Sequence, residues 1–261
     1  MVKLLKRTYL FLILFFLYAP IVVLAVYSFN ASRTSKVWGG FSLQWYVSLF
    51  RDSQIMSALY YTLLVAVLAC VISTFVGTIS AIGIHSMKER SRKVLLNINY
   101  LPVINPDIVT GISLMLVFST LAIKAGLLTM LIAHITFCIP YVILSVLPKL
   151  KQMDRNLVEA ALDLGATPIY TLRHIVLPEI SSGIITGALL AFTLSIDDFV
   201  ISFFNTGGGV TNLSIYIYSA AKRGISPEIN ALSTVMILTV TLLLIVINRR
   251  ADKTQIEKGD R

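Results

Sequence analysis

Six apolar runs, each about 20 residues or longer, constrain this chain more than any other feature: about 8–29, 58–84, 95–122, 127–147, 180–204 and 230–248. At 1.5 Å of rise per residue, 20 helical residues cross roughly 30 Å of hydrocarbon. With 56% hydrophobic and only 13% charged residues, the chain would precipitate as a soluble protein. The sequence therefore predicts an all-α integral membrane protein with six transmembrane helices, in a single domain over residues 1–261. Pro102 and Pro106 predict a break or kink in the long third run.

Charge orients the bundle. Sixteen Lys and Arg lie on one side, in the N-terminus, the 85–93 loop, the 148–179 loop and the tail, against six on the other. The positive-inside rule then places both termini in the cytoplasm. The same bias accounts for the net charge of +9 without invoking nucleic acid. The first run has the basic flank of a signal peptide, but its length and the lack of a small-x-small site favour a retained helix. Cys70 and Cys138 fall inside apolar runs, where cysteine behaves as a small hydrophobe. Asn30-Ala31-Ser32 and Asn212-Leu213-Ser214 match the glycosylation sequon, a tripeptide common by chance.

Two outer connections carry further signals. Residues 30–57 contain Trp38, Trp45, Tyr46 and Phe50, suited to an interfacial helix or aromatic belt, or to receiving substrate. Residues 205–229 open on Gly207-Gly208-Gly209 and close on Ser226-Pro227-Glu228, which reads as N-cap, N1 and acidic first turn of the sixth helix.

The longest polar loop on the cytoplasmic side reads as a helical hairpin. Asp154 can cap a helix whose apolar or small face is Leu157, Ala160, Ala161 and Leu164. Gly165 stands where helices end in a left-handed residue, and Thr167-Pro168 reads as a new N-cap and N1. Pro178 is expected to end the second helix. A polar hairpin between membrane spans has a use only if it touches something in water. Ala160 and Ala161 would admit a close partner backbone, and Glu159 could pair with it. Glu159-Ala160-Ala161, Gly165, Ile175, Leu177 and Pro178 together resemble the EAA loop of the permease subunits of ABC importers. The resemblance implies the type I importer permease fold and a coupling hairpin that docks on an ATP-binding subunit. No G-x-x-x-x-G-K-[ST] run is present, so this chain cannot supply the nucleotide site itself; no cofactor of its own is expected, and ATP and Mg would sit on the partner ATPase.

Three acidic residues fall inside the predicted spans, Asp107, Asp197 and Asp198, with no Lys or Arg deep in any span. A central aspartate costs about 2.5–3.5 kcal/mol, so such residues face a cavity, a pathway or a partner. On the fifth helix Ser195, Asp198, Ser202 and Asn205 form one polar stripe, with Asp198 roughly 27 Å along it. An acidic stripe beside Phe192, Phe199, Phe203 and Phe204 suits a cationic solute. Asp197 could equally bond a neighbouring helix or subunit. Asn105-Pro106-Asp107 reads either as a cap starting a helix segment or as a broken transport helix. The expected substrate pathway is Asp107, Asp197, Asp198, Ser195, Ser202 and Trp45.

Ser28-Phe29-Asn30, Trp45-Tyr46, Pro106-Asp107-Ile108-Val109, His134-Ile135-Thr136-Phe137, Ser195-Ile196-Asp197-Asp198 and Ser226-Pro227-Glu228-Ile229-Asn230-Ala231 narrow the resemblance to spermidine/putrescine permeases. It covers essentially the whole chain. It implies a sister permease subunit, an ATP-binding subunit dimer and a periplasmic polyamine-binding protein as partners, in a bacterial inner membrane. Another cationic or amino-acid solute, or an ATP-independent secondary transporter, are the alternatives. An intramembrane enzyme is disfavoured because His85, His134 and His174 are scattered and form no H-E-x-x-H cluster.

Overall fold

The computed structural model describes residues 2–33, 37–224 and 227–242. The elements run α1 (Val2–Tyr27), α2 (Gln44–Leu49), α3 (Ser53–Ser86), α4 (Glu89–Ile104), α5 (Asp107–Thr120) and α6 (Leu127–Gln152). Next come α7 (Arg155–Asp163), α8 (Pro168–Thr171), a π turn over Leu172–Val176, α9 (Leu177–Glu179), α10 (Ser181–Asp197), α11 (Val200–Asn205) and α12 (Leu213–Arg223). The last described helix is α13 (Pro227–Leu242). They form two compact units, Met1–Ser57 with Tyr216–Arg261, and Ala58–Ile215.

Lys6–Tyr27 of α1, Ser53–Ser86 and Leu127–Gln152 are each long and apolar enough to cross a membrane. The remaining runs are less simple. The third bends by 106° between α4 and α5, and Pro168–Glu179 bends by 68° into α10. The sixth is apolar over Pro227–Leu242; residues 243–248, the expected N-cap Ser226 and the basic tail lie outside the described residues.

The break in the third run falls at Asn105-Pro106, while Pro102 stays inside α4. Asn105 is extended (φ −71°, ψ 143°), as a residue before proline prefers. It therefore ends α4 instead of capping α5; Pro106 takes the N-cap place and Asp107 opens the helix, one position later than expected. The fifth run is not continuous either. α10 stops at Asp197, Asp198 is extended (φ −65°, ψ 128°), and the chain turns helical again at Val200. Asp198 thus stands at a joint and not along a straight helix.

In the unit Ala58–Ile215 the core gathers on α6, whose Ala133, Phe137, Val142, Val146 and Leu150 are buried. Lipid offers no hydrophobic drive for helices to associate, so close backbone approach must supply the packing energy. Glycines permit it. A Cβ on Gly183 would stand 2.9 Å from the Ser145 carbonyl oxygen, and one on Gly77 would stand 2.7 Å from Val142 Cβ.

The unit Met1–Ser57 with Tyr216–Arg261 is organised by Asn30, which is fully buried. Its Oδ1 accepts the Gly39 N–H at 2.7 Å and its Nδ2 donates to the Val37 carbonyl at 2.8 Å. Such an amide cannot receive a glycan, and Asn212, also buried, is equally closed. The connection expected to be interfacial holds the short helix α2, which carries Trp45 and Tyr46. α1 exposes Tyr9, Phe11, Phe15 and Phe16, a surface suited to lipid.

Candidate functional site

The hairpin is built by local signals. Asp154 accepts the Asn156 N–H at 3.0 Å and so caps α7. α7 ends in a Schellman motif: the Ala166 N–H donates to the Ala161 carbonyl at 3.0 Å and the Gly165 N–H to the Leu162 carbonyl at 2.9 Å. Gly165 has φ +84°, where a Cβ is penalised. Thr167 then accepts the Tyr170 N–H at 3.3 Å, and Pro168 opens α8. Each of these caps was expected.

Pro178 does not end the second helix. The π turn over Leu172–Val176 precedes it, with the Leu177 N–H bonded to the Leu172 carbonyl. The extra residue in that turn accommodates a proline that cannot donate and that crowds the carbonyl four residues before it. Helix therefore continues to Glu179 before bending into α10.

The stripe expected to be one face of α7 is divided. Ala161 is buried, and beside it Val158 packs on the core with Met153, Leu172 and Leu177. Leu157 and Ala160 face water, and Leu164 is 89% exposed. Glu159, Gly165 and Pro178 are exposed too. Ala161, Leu164, Gly165, Tyr170 and Ile175 line an open hollow of about 590 Å³ between the two arms. Of the seven expected coupling residues, Ala161 is buried and Leu177 packs against the core; with buried Val176 and Ile180, Leu177 anchors the hairpin to it.

The residues expected to line a substrate pathway separate into two groups. Asp107 and Asp197 are exposed. Asp198, Ser195 and Ser202 are sealed inside, and the Asp198 side chain is 6% exposed. Asp198 Oδ1 accepts the Ile201 N–H at 3.1 Å and Oδ2 accepts the Ser202 N–H at 2.7 Å. The carboxylate thereby caps α11, and Oδ2 lies 3.6 Å from His134 Nε2. The premise that Asp198 lacks a partner is overturned. His134 Nδ1 meets Ser195 Oγ at 2.7 Å and Nε2 meets Ser202 Oγ at 2.9 Å, so both serines hold this ring and neither faces open space. Trp45 donates its indole N–H to the Asn30 carbonyl at 2.7 Å, which ties α2 to the residue just past the end of α1.

His134 and Asn212 were not among the expected site residues. Asn212 Nδ2 donates to Ser202 Oγ at 2.7 Å and to the Asp198 carbonyl at 3.2 Å. A histidine within an apolar run was the signal for the first; Asn212 had drawn notice only as a sequon. Among the described residues no cluster of His, Cys, Asp or Glu could hold a metal ion.

Membrane-length apolar helices carrying an exposed, core-anchored helical hairpin define an integral membrane protein with a surface free to meet a partner. The chain belongs to the family described as binding-protein-dependent transport system inner membrane component, whose model matches residues 73–252. It is 40% identical over 256 residues to the putrescine transport system permease protein PotI of Escherichia coli K12, covering 94% of this chain and 91% of that protein. It is 37% identical over 260 residues to the spermidine/putrescine transport system permease protein PotC of the same strain, covering 99% and 98%. In fold it resembles a chain of a bacterial ABC transporter involved in import of the acidic polysaccharide alginate, with TM-score 0.73, 17% identity and coverage of 96% and 98%. A chain of the MetNI methionine ABC transporter matches with TM-score 0.61 and 16% identity, covering 82% and 97%.

Proposed function

We propose that this chain is the membrane-spanning permease subunit of an ATP-driven importer carrying polyamines, spermidine or putrescine, from a periplasmic binding protein into the cytoplasm. The observation that carries the substrate class is 37–40% identity along nearly the whole chain to two permeases named for polyamines. The mode of action rests on the hairpin. Its outward side offers Leu164 and Tyr170 around the hollow, with Glu159 and Gly165 alongside, and its inward side is fixed to the core.

In this reading the partners are a PotA-like ATP-binding subunit dimer, a PotB-like sister permease and a PotD-like binding protein, in a bacterial inner membrane. ATP and Mg bind the ATPase, and this chain carries no catalytic residue. Closure of the ATPase dimer would draw the hairpins together and move α6 and α10, to which the π turn and α9 are packed. Exposed Asp107 and Asp197 are the acids available to a cation; Asp198, Ser195, Ser202 and Trp45 would act by holding backbone in place. The complex reconstituted in proteoliposomes tests this. ATP hydrolysis stimulated by binding protein loaded with putrescine or spermidine, with matching uptake, is expected; stimulation by other solutes alone would refute the substrate class.

A further inference from the structure

Two connections of the unit Ala58–Ile215 lie on the side rich in Lys and Arg, and they differ in charge. Residues 148–179 carry Lys149, Lys151, Arg155 and Arg173 against Asp154, Glu159, Asp163 and Glu179, so the charges balance. Residues 85–93 carry Lys88, Arg90, Arg92 and Lys93 against Glu89 alone, a net charge of +3. Glu89 is already taken by Lys93, at 2.7 Å. Lys88, Arg90 and Arg92 have no anionic partner among the described residues. A positive-inside bias alone does not require the excess to collect at this one place.

These cations open α4, no residue of which is buried. The helix is nevertheless held in one rotation. Arg92, Leu96, Asn99 and Val103 recur every three or four residues and are half-buried. Leu96 packs on the core, and Asn99 Nδ2 lies 3.5 Å from the Pro140 carbonyl of α6. The opposite side presents Arg90, Val94, Ile98, Leu101 and Ile104. Each of these four apolar side chains is more than half exposed. At 1.5 Å of rise per residue the stripe is about 15 Å long, and Arg90 stands about 6 Å beyond its Val94 end.

Whatever covers this side of α4 must be apolar along the stripe and anionic at one end. Water satisfies the cations and leaves the stripe bare. A zwitterionic lipid covers the stripe and brings no net charge to the cations. A phospholipid with a net negative headgroup supplies both halves in one molecule, and each Lys or Arg near a membrane surface favours it about fivefold. The planar guanidinium of Arg90 suits a phosphate, which it can grip with two N–H groups at once. We propose that the start of α4 is a binding site for an anionic phospholipid. Arg90 donates to the phosphate, Lys88 adds to the attracting field, and an acyl chain lies along Val94, Ile98 and Leu101. The lipid thereby braces the exposed side of a helix that ends at the Asn105-Pro106 bend. The site requires only that the chain stand in a membrane and is independent of the solute carried.

The test uses the full-length chain assembled with its partners in nanodiscs. The probe is phosphatidylglycerol with a photoactivatable diazirine in its acyl chain, compared with phosphatidylcholine carrying the same group. Crosslinks mapped by mass spectrometry are expected at Val94, Ile98 or Leu101, with phosphatidylglycerol in excess by at least about twentyfold. Arg90→Gln should lower that excess about fivefold, and Lys88→Gln added to it should bring the two lipids close to parity. Arg90→Lys should keep most of the excess. Lys149→Gln with Lys151→Gln removes two charges from the other connection and should leave the ratio unchanged. Size-exclusion profile and basal ATP hydrolysis report that each variant assembles. Equal crosslinking of the two lipids, a ratio unmoved by both substitutions, or an equal loss in the Lys149 and Lys151 control overturns the site. So does crosslinking of the stripe to a neighbouring subunit in place of lipid, which makes it a protein interface. Loss of the excess in added inorganic phosphate would reveal a site for the free anion and also overturns the lipid assignment. Polyamine uptake is not a readout here, so failure of this site leaves the proposed function standing, and failure of that function leaves the site.

Discussion

Removing the Asp198 carboxylate distinguishes a structural joint from a cation site. The side chain is almost fully enclosed and accepts two backbone N–H groups, at 3.1 and 2.7 Å. Hydrogen bonds to a charged group contribute about 1.5–3 kcal/mol each, and an N-cap replaced by alanine costs about 0.5–2 kcal/mol. Since both estimates describe the same contacts, Asp198→Ala should cost roughly 3 kcal/mol. Asp198→Asn keeps one acceptor oxygen and points an NH₂ at the other donor, so about half that loss is expected. For a chain of this size 1 kcal/mol shifts the midpoint by about 2–4 °C, which gives roughly 6–12 °C for the alanine variant. The assay is thermal unfolding of the purified complex, followed by fluorescence-detected size exclusion, beside uptake kinetics in proteoliposomes. Graded stability, parent above asparagine above alanine, is the expected result. Both variants melting with the parent while uptake KM rises tenfold would refute the capping argument and return Asp198 to the substrate.

Gly165→Ala forces a Cβ into the left-handed region at φ +84° and should cost about 1–2 kcal/mol; the ATPase should respond less to loaded binding protein while the permease still inserts. Glu159→Arg reverses an exposed charge on the outward side of α7 and should release or uncouple the ATPase, read by co-purification and uptake. Gly77→Ala drives a methyl to 2.7 Å from Val142 and should destabilise by about 1–3 kcal/mol. Adding Val142→Ala should recover part of that loss, a non-additivity measured by a double-mutant melting cycle.

Where the controlling interactions are local, the sequence could be read directly. The caps at Asp154 and Thr167 and the left-handed Gly165 are decided within a few residues, and each lies where its neighbours imply. The joint at Asp198 was hidden because Ser195, Asp198 and Ser202 also satisfy helical spacing. What breaks the helix is the demand of Ile201 and Ser202 for a cap, stabilised by His134 some 60 residues away and by Asn212 from the following loop. Pro178 misled for a related reason, since a π turn can absorb a proline that a regular helix cannot. On α7 the periodicity of Leu157, Ala160, Ala161 and Leu164 was visible, but nothing in it said that only Ala161 turns inward. The membrane-facing and core-facing sides of an apolar helix are equally indistinct in sequence, which is why the glycine contacts around Val142 emerged only in three dimensions.

The glycine seam between α6 and α10 has a mechanical consequence. With no side chain between backbones at Gly183, α6 and α10 approach more closely there than a residue with a Cβ would allow, and many short backbone contacts hold the pair together. Under the proposed coupling, a displacement applied at the hairpin would reach α6 across that contact, and the bends between Glu179 and Ser181, at Asn105-Pro106 and at Asp198 are the places where the described backbone would yield. Stiffening one of them would then shorten the movement without weakening the grip of the motor.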